Sequence, residues 1–129
     1  SLDISKFIAQ MKGDVSISVT FQEFAPIAFS QQQALLDEIM RRYPDVIDIS
    51  FLCVAPVRCT PGRETSRLTR INGAAVSSQG LRNRSKEAVF LEATATSDYF
   101  SPLVIKEGNP SLVAAFPVLN GKKEILMLR

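Results

Sequence analysis

The sequence predicts an α+β domain in which an antiparallel sheet of about five strands carries two helices on one face. Three observations lead there. The stretch "SQQQALLDEIMRRYP" sets Leu35, Leu36, Ile39, Met40 and Tyr43 on one stripe of a helix over 31–43. Directly after it, "VIDISFLCVAPV" alternates Ile47, Ile49, Phe51 and Cys53 against Asp48 and Ser50, which is the period of a strand entering a buried sheet. The last third, "DYFSPLVIKEGNPSLVAAFPVLNGKKEILMLR", holds three hydrophobic runs parted by turn signals at 107–109 and at Asn120-Gly121.

The N-terminal segment supports two patterns. Val15, Ile17, Val19 and Phe21 alternate with Ser16, Ser18, Thr20 and Gln22, as in a strand. Ile4, Ile8, Met11, Val15 and Val19 also mark a helical stripe continuous with "SKFIAQMK". The continuous stripe leads to the expectation of one long N-terminal helix, with Gly13 in its interior at a cost of about 1 kcal/mol. Exposed, that stripe would pair two copies of the chain where a membrane raises their effective concentration.

The second helix opens with Ser30 as N-cap and Gln33 three residues on, and Pro44 ends it. Asp37, Glu38, Arg41 and Arg42 occupy its solvated face at spacings that favour opposite charges. In "TPGRE", Pro61 and Gly62 suit the central positions of a turn that leads to a strand near 65–71. "NGAAVSSQGLRN" has no period and reads as a long irregular connection, followed by a short helix in "KEAVFLEATA". Asn120-Gly121, where both residues tolerate positive φ, then closes the tail as a meander.

Composition restricts the chemistry further. The 129 residues suffice for one domain, 1–129, and 46% hydrophobic with 22% charged residues argues against disorder. A net charge of +2 does not point to nucleic acid, and no apolar run reaches the roughly 20 residues of a membrane helix. A chain opening "SLDISKF" without an initiator Met reads as a piece of a longer protein. With no histidine, a Ser-His or Cys-His nucleophile cannot be built and the commonest metal ligand is missing. Cys53 and Cys59 fit neither a zinc pattern nor a C-x-x-C motif. A buried free thiol is the favoured reading of Cys53. The alternative, a disulfide closing a small loop, implies an oxidising compartment.

Pro44-Asp45-Val46-Ile47-Asp48-Ile49, Tyr99-Phe100-Ser101-Pro102 and Val113-Ala114-Ala115-Phe116-Pro117-Val118 resemble, in order and spacing, three points of the Cache (PDC-type) extracytoplasmic sensor domains of bacterial receptors. The resemblance covers most of the chain. It implies a PAS-like antiparallel sheet with the long N-terminal helix and the second helix packed on one face. It also implies a periplasmic or extracellular part of a membrane-anchored receptor with a histidine kinase, diguanylate cyclase or chemoreceptor output, which binds a small ligand, uses no cofactor and is not an enzyme.

Candidate ligand residues follow from charge and from the resemblance together. Between 58 and 84, Arg58, Arg63, Arg67, Arg70, Arg82 and Arg84 face a single acidic residue, Glu64. A guanidinium fork suits carboxylates and phosphates, so a small polar or anionic metabolite, such as a carboxylate or an amino acid, is the expected ligand, although solvated edge charges explain most such arginines. Arg82 and Arg84 stand out because they flank the stretch that covers the pocket in the family. Tyr99 and Ser101, two residues apart on one strand, would add a phenol and a hydroxyl side by side. A protein-interaction module that exposes an apolar sheet or helix face is the alternative. A small enzyme lacks any carboxylate pair of telling spacing, and the arginines lack the interleaved aromatics of a nucleic-acid platform.

Overall fold

The computed structural model of the chain describes residues 15–24, 27–54, 59–94 and 96–118. Val15, Ile17, Val19 and Phe21 lie on one side of a strand, β1 (Ser16–Glu23), and all are buried. Helix α1 (Phe29–Arg42) then carries the chain back to β2 (Val46–Cys53). β3 (Glu64–Ile71), β4 (Ala74–Ser77), helix α2 (Ala88–Glu92), β5 (Tyr99–Phe100), β6 (Val104–Lys106) and β7 (Asn109–Val118) follow. The seven strands form one sheet in the order β4-β3-β2-β1-β7-β5, with β6 also on β7.

This corrects the expected antiparallel, PAS-like sheet of about five strands. β1 is parallel to both of its neighbours, β2 and β7, so the sheet is mixed. The cause is connectivity where neighbours in the sheet are neighbours in the chain: β1 and β2, joined through a helix, run parallel, whereas the short turns at 72–73 and 107–108 give the antiparallel β3–β4 and β6–β7 pairs, and β2–β3 is antiparallel as well. The long N-terminal helix is overturned where it would run through 15–23, and its remainder, 1–14, lies outside the described residues. Ile17, Val19 and Thr20 are β-branched and fit a pleated surface, and sheet neighbours on both sides outweigh the continuity of a helical stripe. The two described helices lie on opposite faces of the sheet. α1 packs on the face of Ile17, Val19 and Phe21, and Val89 and Ala93 of the α2 region pack on Ala115 of the other.

Other expectations are met or corrected in detail. α1 begins at Phe29 with Ala28 at its N-cap and no side-chain capping bond, so Ser30 sits inside the first turn instead of capping it. Gly62 has φ +88°, and Arg63 N–H reaches Thr60 O at 3.1 Å, which is the turn read from Pro61-Gly62. The stretch expected to be irregular contains a hairpin: Asn72 and Gly73, at φ 51° and 83°, turn β3 into β4. Cys53 and Cys59 form a disulfide, against the favoured free thiol. The hairpin at Asn120-Gly121 and the last strand lie outside the described residues.

Phe21 lies 5.2 Å from Phe51 and 6.2 Å from Phe116, ring centre to ring centre, on three adjacent strands. Leu36, Ile39 and Met40 of α1 close over them. Each such buried side chain contributes about 1.5–3 kcal/mol. The open C-terminus of α1 is held by Arg70, whose guanidinium donates to Met40 O at 2.7 Å, Val46 O at 3.0 Å, and Tyr43 O and Gly73 O at 3.3 Å. A cation there satisfies carbonyls that the helix leaves unpaired and opposes its dipole. Arg70→Ala should therefore lower stability in urea unfolding by about 1.5–3 kcal/mol, while Arg41→Ala, which breaks only an exposed pair with Asp37, should change it by less than about 0.5 kcal/mol.

Candidate functional site

The alternation that buries the apolar side of β1 puts Ser16, Ser18, Thr20 and Gln22 on the opposite face of the sheet. The strand registers bring Asp48 and Ser50 of β2, Arg67 and Thr69 of β3, and Ser111, Val113 and Ala115 of β7 beside them. The central part of the sheet thus has one apolar face and one face rich in hydroxyl and charged groups. Segment 82–93 covers one end of the polar face.

Under that cover the groups are buried and paired. Gln22 donates its amide to Val89 O at 2.8 Å and Phe90 O at 3.1 Å, which ties the segment to the central strand. Arg84 reaches inward: its Nη1 donates to Thr20 Oγ1 at 3.2 Å, Thr20 Oγ1 lies 3.5 Å from Ser50 Oγ, and Arg84 Nε donates to Glu87 Oε1 at 2.9 Å. The Glu64 side chain is fully buried. Its Oε1 accepts the Arg82 N–H at 2.8 Å, while Oε2 has no hydrogen-bond partner and lies 3.8 Å from both Arg82 Nη2 and Arg84 Nη1. Main-chain bonds add Glu64 N–H to Arg82 O and Arg84 N–H to Gly62 O, both 2.8 Å, so 82–84 docks on the start of β3 like a short extra strand.

Towards the amino end of β1 the face is half exposed. Asp48 and Arg67 form a two-pronged pair at 2.9 and 3.1 Å, and that hydrogen-bonded carboxylate raises the Arg67 guanidinium above its ordinary value against the opposing effect of burial. Ser16, Ser18 and Thr69 stay partly open beside the pair. A shallow cleft of about 470 Å³ continues the surface past Ser16, Ile47, Glu107, Asn109 and Ser111. The arrangement offers hydrogen-bond donors and acceptors at fixed strand spacing. The described residues contain no group of three or more His, Cys, Asp or Glu side chains able to hold a metal.

Of the residues singled out from the sequence, the fold brings Arg84 and Tyr99 to this face. Arg84 is buried and already faces two carboxylates, Glu64 and Glu87. Tyr99 packs beside Ala115 with Val89 and Ala93. Arg82 is half exposed and touches the face only through Glu64. Ser101 lies beyond the end of β5, where its Oγ accepts the Val113 N–H at 2.9 Å and donates to Pro102 O at 3.0 Å, so its hydroxyl serves the sheet edge. Arg63 is exposed, Arg67 and Arg70 are committed to the contacts above, and Arg58 lies outside the described residues. Thr20, Gln22, Asp48 and Glu64 complete the polar face without having been singled out as ligand residues. For Glu64 there was a signal, since it is the lone acid among those arginines.

Comparison with protein-family models, with curated proteins and with solved structures gives no match. The chain therefore rests on its own geometry.

Removing a buried cation leaves its partner charge uncompensated, at a typical cost of about 3–5 kcal/mol. Arg84→Ala should accordingly lose about 3 kcal/mol or more in denaturant unfolding, and Arg82→Ala less than about 1 kcal/mol because its side chain is half in solvent. The pair Arg84→Met with Glu64→Leu should lose less than the sum of the two single changes, as a double-mutant cycle will show.

Proposed function

We propose that this chain is a non-catalytic recognition domain in the extracytoplasmic part of a membrane-anchored receptor, binding a small polar metabolite on the polar face of its sheet. The observation that carries the reading is that face itself. Sheets with parallel central strands are ordinarily covered by apolar packing on both sides, yet here the face opposite α1 presents Ser16, Ser18, Asp48, Arg67 and Thr69 partly open. Convergent polar groups on a rigid sheet, backed by a packed core, suit the orientation of a ligand. The Cys53–Cys59 bond supports an oxidising compartment. The resemblance of three chain motifs, in order and spacing, to those of sensor domains is the ground for a signalling role, although the sheet is not the one that the resemblance implied.

Within the expected class of small polar or anionic metabolites, the charges favour the polar side. Because Arg84 and Arg67 already face carboxylates, an anionic ligand would have to break a pair to use either. Beyond these pairs the face offers the hydroxyls of Ser16 and Ser18, and the adjoining cleft adds the Asn109 amide and the Glu107 carboxylate, which favour a polar molecule without a dominant negative charge.

One observation favours a second reading, a protein-interaction module. Phe100, Leu103, Val104 and Ile105 are exposed along the edge formed by β5 and β6, and apolar edges of this kind accept an added strand.

A thermal-shift screen over amines, amino acids, carboxylates, purines and sugars separates the two. The expected result is a hit whose affinity falls about tenfold or more in Ser18→Leu, which sets a bulky apolar side chain on the open part of the face, and stays unchanged in Ile105→Asp. A hit indifferent to Ser18→Leu would show that the site lies elsewhere. If no compound shifts melting and Ile105→Asp abolishes concentration-dependent association, the chain is an interaction module instead.

A further inference from the structure

We propose that segment 82–93 is a strap over one end of the polar face and that the Cys53–Cys59 disulfide sets how firmly it is closed. The assignment of that face as a ligand site rests on the reading above; the coupling between disulfide and strap stands on contacts of its own.

The strap's seat is the chain immediately after the disulfide. Cys53 is the last residue of β2, and Cys59 directly precedes the turn at 60–63. Across this neck Cys53 N–H donates to Arg63 O at 2.9 Å and Gly62 N–H to Cys53 O at 2.8 Å. Gly62 then presents its carbonyl to Arg84 N–H, Arg63 bridges Asn83, and Glu64 exchanges bonds with Arg82. The approach at Gly62 is backbone against backbone. A Cβ there would fall 2.5 Å from Ser85 Cα, and φ +88° is itself a glycine conformation. The alignment of residues 62–64 is therefore what the strap reads, and the disulfide closes the loop that delivers them.

Beyond its seat the strap is held by Gln22, which bonds Val89 O and Phe90 O, and by Val89 and Ala93 buried against Ala115. α2 has five residues and no side-chain cap, Leu91 is largely exposed, and the buried Glu64 Oε2 lacks a hydrogen bond while the strap is down. An unsatisfied buried oxygen opposes closure, so the closed state depends on its seat. Few buried apolar contacts and an exposed short helix are the marks of a segment that opens before the rest of the molecule unfolds.

Reduction breaks one S–S bond. A thiolate of an external dithiol attacks the sulfur of Cys59, the less buried partner, and Cys53 leaves as a thiolate; the second thiol of the reductant resolves the mixed disulfide. In balance, two electrons and two protons pass from the dithiol to the two cysteines, and the reductant leaves as its own disulfide. The loop from 53 to 59 then regains conformational freedom, which for so short a loop corresponds at most to about fiftyfold in an opening equilibrium.

The test is amide hydrogen exchange on the ligand-free chain, oxidised and after dithiothreitol, with thiols counted to confirm reduction. Arg82 and Arg84 amides should exchange about tenfold faster or more in the reduced chain and in the Cys53→Ala/Cys59→Ala variant, while Val19 and Phe21 amides at the sheet centre remain within twofold. Gly62→Ala, which spoils the seat with the disulfide intact, should release the same amides. Unchanged exchange at Arg82 and Arg84 in the fully reduced chain overturns the coupling. So does equal acceleration at Phe21, which would mean general destabilisation, or full protection in Gly62→Ala. No ligand is used, so none of these results bears on what the polar face binds.

Discussion

The structure depends on β1 being hydrogen-bonded on both sides, to β2 and to β7, in parallel registers. A strand in that position has no free edge, so both of its faces must find cover or solvent that suits their chemistry. Its apolar side, Ile17, Val19 and Phe21, is covered by α1 and by aromatic partners from the two neighbouring strands. Its polar side creates the second demand. Thr20 and Gln22 are almost wholly buried, and a buried amide or hydroxyl without a partner costs on the order of 1–3 kcal/mol. Arg84 and the carbonyls of Val89 and Phe90 answer it, which is why the 82–93 segment lies where it does.

Electrostatics then follows from placement. A stretch that looks strongly basic in the chain is largely neutralised in space, because most of its described arginines meet a group that can accept from them. Arg67 meets Asp48, Arg84 meets Glu64 and Glu87, and Arg70 meets backbone carbonyls at a helix end. The Arg84–Glu64 contact is the expensive one, since taking both groups out of water costs several kcal/mol and the 3.8 Å separation recovers only part of it. A cluster of that kind specifies where the segment docks more than it stabilises the fold. That is the physical ground for treating the segment as a strap.

Alternating patterns and turn residues made much of the local structure legible. The strand at 46–53, the helix near 31–43, the turn at Pro61-Gly62 and the strand at 64–71 follow from periodicity of 2 or 3.6 and from residues that tolerate particular φ values. The same logic contained the hairpin at Asn72-Gly73, but the short, exposed β4 strand after it has no buried face and leaves no alternation to see. Of the site, Arg84 and Tyr99 were visible as residue types near the right segment. Thr20, Gln22 and Asp48 were not, because a polar residue in an alternating strand reads as solvent-facing until another element is known to lie on it.

By itself, then, the sequence determined a helix at 31–43 followed by a strand at 46–53, the faces of its longer strands and a chemistry without histidine. Only the tertiary structure decided three things: that 16–23 is a strand at the centre of the sheet, that the sheet is mixed, and that the two cysteines are joined. The reason is common to all three. Residues 15–21 satisfy a helical and a strand pattern alike, and the choice between them lies with partners at 46–53 and 109–118, distant in the chain. Cys53 could pack as a small hydrophobe or bond to Cys59, and the narrow return of the chain through Gly62 and Arg63 decided it. Local propensity differs by about 1 kcal/mol between such alternatives, and non-local pairing outweighs it.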